Sequence, residues 1–380
     1  MEDVREVAIF RHNLFRLSEP FIAQQAQRLR RYRPLYLGRW RFGLPPEGAE
    51  SLALQDIARW RLPRIGWQMI TRDPRPYERL MREHRPALIH AHFGIEGVYA
   101  LPLARRLARP LITTFHGFDA TLAAAALLAS PAWAQYPLHR RELAREGDLF
   151  LCASGFIRER VLAMGFPEAR THTHYIGVDC ESIRPREPAE EMPVILHVAR
   201  LVEVKGTRYL LRAFAEIASR YAEVRLVVIG DGPLRGSLQR LSATLGIADR
   251  VRFLGGLNHA EVLVWMRRAA MLVLPGVRTA TGRIEGLGLV LLEAAATGVP
   301  VIGSAVGGIP ECVLDRETGF LVRERDVDAL AARMGELLDD PLRRQRMGAQ
   351  GRSLVERRFD ARRQTASLED LYDSVLGRSV

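Results

Sequence analysis

The chain has 380 residues, 48% of them hydrophobic, and a net charge of +11. That length exceeds what one hydrophobic core sustains, so two domains are expected. No apolar run approaches the roughly 20 residues of a membrane span, which argues against an integral membrane protein. The cysteines, Cys152, Cys180 and Cys312, form no CxxC pair and read as free thiols of a reducing cytoplasm.

Taken in chain order, "VREVAIF" (4–10) opens as a strand behind an acidic start, which does not read as a signal peptide. The stretch 18–32 has helical spacing at Phe21, Ile22, Gln25 and Leu29, with Ser18 as its cap. "ALIHAHFG" (87–94) is a strand ending in a Gly turn, 98–108 a helix, and "PLITTFHG" (110–117) a strand again. Strands follow at 148–154 and 171–179, where His172 and His174 alternate onto one face. The Ala-rich 120–130 reads as a helix or lid. Residues 1–180 hold 26 arginines against 18 acids, so +8 of the net charge lies in this half. This reads either as a solvated arginine-rich surface or as the side of an anionic partner, whether nucleic acid, a membrane surface or a lipid phosphate, with Arg28, Arg30, Arg31 and Arg33 as its densest cluster. Arginines interleaved with stacking aromatics are missing, which disfavours nucleic acid.

"ESIRPREPAEEMP" (181–193) reads as a linker between domains spanning 1–180 and 194–360. A second series follows: strands at 194–201, 224–232, 251–257, 269–276, 300–308 and 319–322, with an amphipathic helix at 206–221. Strand–helix alternation of this kind defines an α/β fold with parallel sheets. Two Rossmann-like domains facing a central cleft are expected, with ligands at the carboxyl ends of the strands.

The chemistry concentrates at such ends. "ARLVEVKG" (199–206) places Arg200 and Lys205 after a strand, and Lys205 is the only lysine in a chain that otherwise uses arginine. A planar fork beside a compact point charge suits a diphosphate. In "EGLGLVLLEAAATGVPVI" (285–302), Glu285 precedes, and Glu293 lies inside, a helix that Gly286 and Gly288 open and Gly298 closes. Small residues at a helix start admit an anion to free N–H groups. Glu293 sits among apolar neighbours and needs a partner, either diol hydroxyls or an arginine. His90, His92, His116 and Asp119 match no established zinc spacing, and "DVD" (326–328) reads as a helix cap.

Arg-x4-Lys-Gly, Glu-x7-Glu and "VIGSAVGGIPE", together with "HAHFG", "TTFHGFD" and "LVVIGDGPLR", resemble the retaining glycosyltransferases of family GT4, which have the GT-B fold. The likeness runs over nearly the whole chain. "FRLSEPFIAQQ" and "VRTATGRIEGLG" look like the branch that builds bacterial exopolysaccharides. The resemblance implies a hexosyltransferase working from a UDP- or GDP-sugar onto a lipid-linked glycan, without metal or other cofactor, in the cytoplasm and peripheral to the inner face of the membrane. It implies that Arg200 and Lys205 bind the donor diphosphate, that Glu293 holds the ribose, and that Glu285 contacts the sugar beside the backbone of Gly286, Leu287 and Gly288. His116 would stand near the reacting carbon, with Asp119, His92 and Ser18 on the acceptor side. Residues 361–380 would form a helix crossing back to the first domain. Where many members carry a Gly-Gly loop after the first strand, this chain has "RHNLFRLSE" (11–19), with Arg11 as a substitute. A sugar-nucleotide epimerase and a non-catalytic sugar-nucleotide binder are the alternatives.

Overall fold

A computed structural model describes residues 4–16, 19–57, 61–187 and 192–378, in two compact units: 1–177 with 361–380, and 178–360. The first unit contains β1 (Arg5–Phe10), β2 (Asn13–Leu14), β3 (Tyr32–Gly38), β4 (Trp40–Arg41), β5 (Glu50–Ala53), β6 (Leu88–His92), β7 (Leu111–Phe115), β8 (Leu149–Cys152) and β9 (Thr171–Thr173). Seven of these form a parallel sheet in the order β5-β3-β1-β6-β7-β8-β9, and β2 pairs with β4 beside it. The strands are nearly continuous apolar runs because both faces are covered. Phe10, Leu37, Ala91 and Phe150 join one core. Ile9, Tyr36, Leu88 and Leu151 join another on the opposite face, which the helix Ala361–Arg378 closes with Leu368, Tyr372 and Val375.

The second unit contains β10 (Met192–Val198), β11 (Arg225–Ile229), β12 (Val251–Gly255), β13 (Ala269–Leu274), β14 (Val301–Ser304) and β15 (Gly319–Val322), parallel in the order β12-β11-β10-β13-β14-β15. Both sheets reverse direction beside their first strand, between β1 and β6 and between β10 and β13. In doubly wound sheets that switch point is where ligands bind.

Three expectations need correcting. The helix of 18–32 is only Pro20–Gln27, with Glu19 at its N-cap, and Ser18 lies outside the described residues. Tyr32 instead opens β3, opposite Arg5 of β1 and 2% exposed, because sheet pairing overrides local helical spacing. His172 and His174 do not share a face: His172 is exposed, and His174, beyond the end of β9, is buried on the carbonyl of Gln364. Within 181–193, Arg186 is tied to the second unit, its N–H to the carbonyl of Thr297 and its guanidinium to that of Ala269.

Candidate active site

In the second unit, the chain leaves β10 through Arg200, which is exposed, and a short turn, Glu203–Lys205. Gly206 follows at φ +67°, where a Cβ would come within 1.7 Å of the carbonyl of Pro275, so only glycine lets this loop lie against the end of β13. Below it, His197 is buried and burial pushes it down to about 4, so it is neutral at pH 7. Its Nδ1 donates to the carbonyl of Val273 and its Nε2 accepts from the Thr207 hydroxyl, which fastens the loop to the helix Thr207–Ala218.

Lys205 Nζ reaches Glu285 Oε2 at 2.5 Å. Glu285 sits on the loop after β13, and that loop is pinned: the N–H of Gly308 donates to the Glu285 carbonyl, and Cys312 Sγ donates to that of Leu287. A Cβ on Gly308 would lie 2.0 Å from the carbonyl of Gly286, so the two loops touch backbone to backbone. Gly288, at φ +92°, then starts the helix Leu289–Ala296, and Gly298 ends it at φ +76°. Arg283, two residues before Glu285, is half-buried. Burial and then the charge of Arg200 lower its pKa, against the pull of Glu285. Lys205 is thus paired with Glu285, while Arg283 feels both that carboxylate and the charge of Arg200. Glu293, in the middle of this helix, is part-buried and meets His259 Nε2 at 3.1 Å. The hydrogen bond to Glu293 raises the pKa of His259.

In the first unit, β6 and β7 bring three imidazoles into a row. His90 binds the Tyr372 hydroxyl through Nδ1 and that of Thr114 through Nε2, both at 2.6 Å. It stacks on His92, whose Nδ1 meets His116 Nε2 at 3.0 Å. Burial drives all three well below the ordinary histidine range, so the row is neutral. His116 Nδ1 has no partner among the described residues. Asp119 is 1% exposed and accepts from the N–H groups of Gly94 and Gly117. It joins the loops after β6 and β7 and so positions His116, and burial raises its pKa to about 6.

Beside the row, Arg11 is buried. It donates two bonds to Glu19, at 2.9 and 3.0 Å, and one to Glu96, and its guanidinium stacks on Phe93. His12 also meets Glu96, at 3.2 Å. Burial would raise the pKa of Glu96, but the charge of Arg11 and the contact with His12 hold it below the usual carboxylate value. Arg11 is therefore not free to substitute for a Gly-Gly loop, because both of its charged partners come from its own unit.

The structure brings together Arg200, Lys205, Glu285 and the Gly286–Gly288 backbone in one unit, with Glu293 nearby, and His92, His116 and Asp119 in the other. Sequence reasoning missed Arg283, Glu96 and His259. His259 could have been found as the first helical residue behind the Asn258–Glu261 capping box, at the carboxyl end of β12. Both ring nitrogens of His90 bond hydroxyls, and Nδ1 of His92 faces His116. Among the described residues, Glu6, Glu50 and His84 bring possible ligand atoms within 4.8 Å, but at the opposite end of β1 and beside Arg33. The expected arginine patch is also partly consumed: Arg31 pairs with Asp370 and Asp373, and Arg33 with Glu6. No helix among the described residues is long and apolar enough to cross a membrane.

Two Rossmann-like parallel-sheet units of this order make up the GT-B fold. The family described as "Glycosyl transferases group 1" matches residues 179–354, and "Glycosyltransferase Family 4" matches 41–182. The chain is 34% identical over 311 residues, 77% of its length and 78% of the relative's, to the GDP-mannose-dependent alpha-(1-6)-phosphatidylinositol monomannoside mannosyltransferase of Mycolicibacterium smegmatis. It is 33% identical over 249 residues, 64% of its length and 59% of the relative's, to WcaL of Escherichia coli, a glycosyltransferase assigned to colanic acid biosynthesis. Anabaena HepE, solved with UDP and glucose, has the same fold at a TM-score of 0.77 and 18% identity, covering 97% of this chain and 100% of that one. The chain belongs to glycosyltransferase family 4 and is a GT-B glycosyltransferase. That membership sets aside the epimerase.

Proposed function

We propose that the chain is a retaining enzyme that moves a hexose from a UDP- or GDP-sugar to a hydroxyl of a lipid-linked oligosaccharide or related glycan, in the assembly of an exopolysaccharide. The observation that carries this is the Arg200, Lys205 and Arg283 group around Glu285 at the second switch point. Cations gathered at this loop suit the ionised phosphates of a sugar nucleotide. The relatives above use GDP-mannose or act in colanic acid synthesis, which supports the donor and acceptor classes.

Donor binding transfers the Lys205 ammonium from Glu285 to a phosphate oxygen. Glu285 is then free to accept from sugar hydroxyls, while Glu293, steadied by His259, accepts from the ribose. As the sugar–phosphate bond breaks, charge grows on the diphosphate and the cations stabilise it; each such group is worth roughly 10²–10³ in rate. The anomeric carbon becomes oxocarbenium-like. A neutral His116 can offer Nδ1 to the sugar without setting a cation beside that centre. Attack on the same face, with the leaving phosphate as base, retains configuration and needs no pair of carboxylates. Since arginines and lysine neutralise the diphosphate, turnover should survive a metal chelator.

The test is a donor panel. UDP or GDP release is measured from each common sugar nucleotide, with and without acceptor extract, and product anomers are read by NMR. The reading is lost if no donor turns over above background, and retention is lost if the product is inverted.

A further inference from the structure

We propose that the first unit binds a divalent transition-metal ion between Glu6, Glu50 and His84, as a structural clasp at the amino ends of its strands. Glu6 stands near the start of β1, five residues before Arg11, so about 16 Å of extended chain separates it from the switch point. Glu50 opens β5, at the edge of the sheet. His84 lies in the loop that leads into β6. One ligand atom from each of the three comes within 4.8 Å of the others. The N–H of Ala87 donates to the Glu6 carbonyl, which ties the loop carrying His84 to β1 beside the carboxylate it faces.

Hydrogen bonds alone do not satisfy this cluster. His84 Nδ1 lies 3.0 Å from Glu6 Oε2, and its Nε2 lies 3.2 Å from Glu50 Oε1. A neutral imidazole has one N–H, so one of these contacts sets a lone pair against an anion. The Glu6 side chain is only 9% exposed, and its Oε1 is buried without a partner among the described residues. Arg33 reaches Oε2, at 3.2 Å, and leaves Oε1 bare. A buried carboxylate oxygen without a donor is costly. A metal ion answers both defects, since it takes the bare oxygen and the imidazole lone pair together. The donor set selects its kind. One nitrogen and two carboxylates suit zinc or another first-row ion, whereas magnesium and calcium favour oxygen alone. Zinc ligands held at about 2.0–2.2 Å stand about 3.4 Å apart in a tetrahedron, close to the spacings here. Glu50 is half exposed and free to swing inward, and water fills the remaining position. The second ring nitrogen keeps its N–H for a carboxylate, the usual support of a metal-bound imidazole. The ion so held joins β1, the edge strand β5 and the loop before β6. It takes no part in the transfer proposed above, and its binding is measured without donor or acceptor.

The full chain, stripped with a chelator and dialysed, is titrated with zinc chloride by calorimetry. One bound zinc per chain is expected, and zinc at a hundredfold excess over its Kd should raise the melting temperature by about 5 °C. Glu50→Gln and His84→Gln should each weaken binding at least about tenfold and remove most of that shift. If His84→Gln fails to fold, Glu50→Gln, at a half-exposed edge position, still decides the matter. His139→Gln removes the histidine of a separate His139–Glu142 pair and should bind zinc like wild type. Sugar-nucleotide turnover should be the same with and without zinc. Absence of stoichiometric binding overturns the proposal, as does wild-type binding by Glu50→Gln or loss of the site in His139→Gln. Turnover that vanishes on zinc removal overturns the structural role. Lost zinc binding with intact turnover rejects the clasp and spares the proposed function; intact zinc binding with no donor turned over in either state does the reverse.

Discussion

At the first switch point Arg11 is 7% exposed and held by two carboxylates; at the second, Arg200 is exposed and Lys205 meets one carboxylate that it can leave. The sheet order around these points is the same. The first site therefore carries its charges as structure, neutralised within the unit, and presents uncharged imidazoles. The second, in the function proposed above, carries them as binding capacity. A shared topology fixes where a site lies, and the local pairing of charges decides whether it can accept a ligand.

The strongest way to break this contrast is Arg11→Ala. It strands Glu96 and Glu19 and should cost about 3–5 kcal/mol in urea unfolding, whereas Arg200→Ala should shift stability by no more than about 0.5 kcal/mol. Equal losses would mean that both sites are structural. Next is Lys205→Arg. A wide guanidinium cannot take the place of the ammonium between phosphate oxygens, so kcat/KM should fall about 10²-fold, or about 2.7 kcal/mol. The melting temperature without nucleotide should hold, while protection by nucleoside diphosphate shrinks. Wild-type transfer by this variant would remove the phosphate role.

His116→Ala should lower kcat about tenfold with donor KM nearly unmoved, since its contact is expected in the transition state. A raised KM alone would make it a ground-state donor contact. The smallest effect concerns pH. Glu293 raises the pKa of His259, so the pair adds stability that is complete below the ordinary histidine value of about 6.5 and fades as pH rises through the raised one. The melting-temperature gap between wild type and Glu293→Gln should be widest in acid and close in alkali. A gap that widens with pH would contradict the pairing.

Strands buried on both faces are easy to read from sequence, and so were the Gly turns that end them. The resemblance named Lys205 and Glu285 on two loops distant in sequence, and the structure brings them together. What escaped were pairings between distant residues. Arg31 looked like part of a free patch because its partners, Asp370 and Asp373, lie at the far end of the chain. Arg11 looked available because nothing local announces Glu96 as its counter-ion. Tyr32 followed a helical period, yet its place is set by Arg5 across the sheet and by Tyr372 packed against it. A carboxylate's partner is a tertiary fact, and periodicity carries no record of it.

The helix Ala361–Arg378 also gives the molecule an order of assembly. The second unit is one uninterrupted stretch, whereas the first waits for its last helix. On a ribosome, Leu88, Leu151 and Tyr36 stay uncovered on one face, and His90 lacks the Tyr372 hydroxyl, until the whole of the second unit has emerged. The half made first is thus the half finished last. A chain stopped at residue 360 should keep a protease-resistant second unit beside a first unit that is readily digested, with its histidine row unsupported from below.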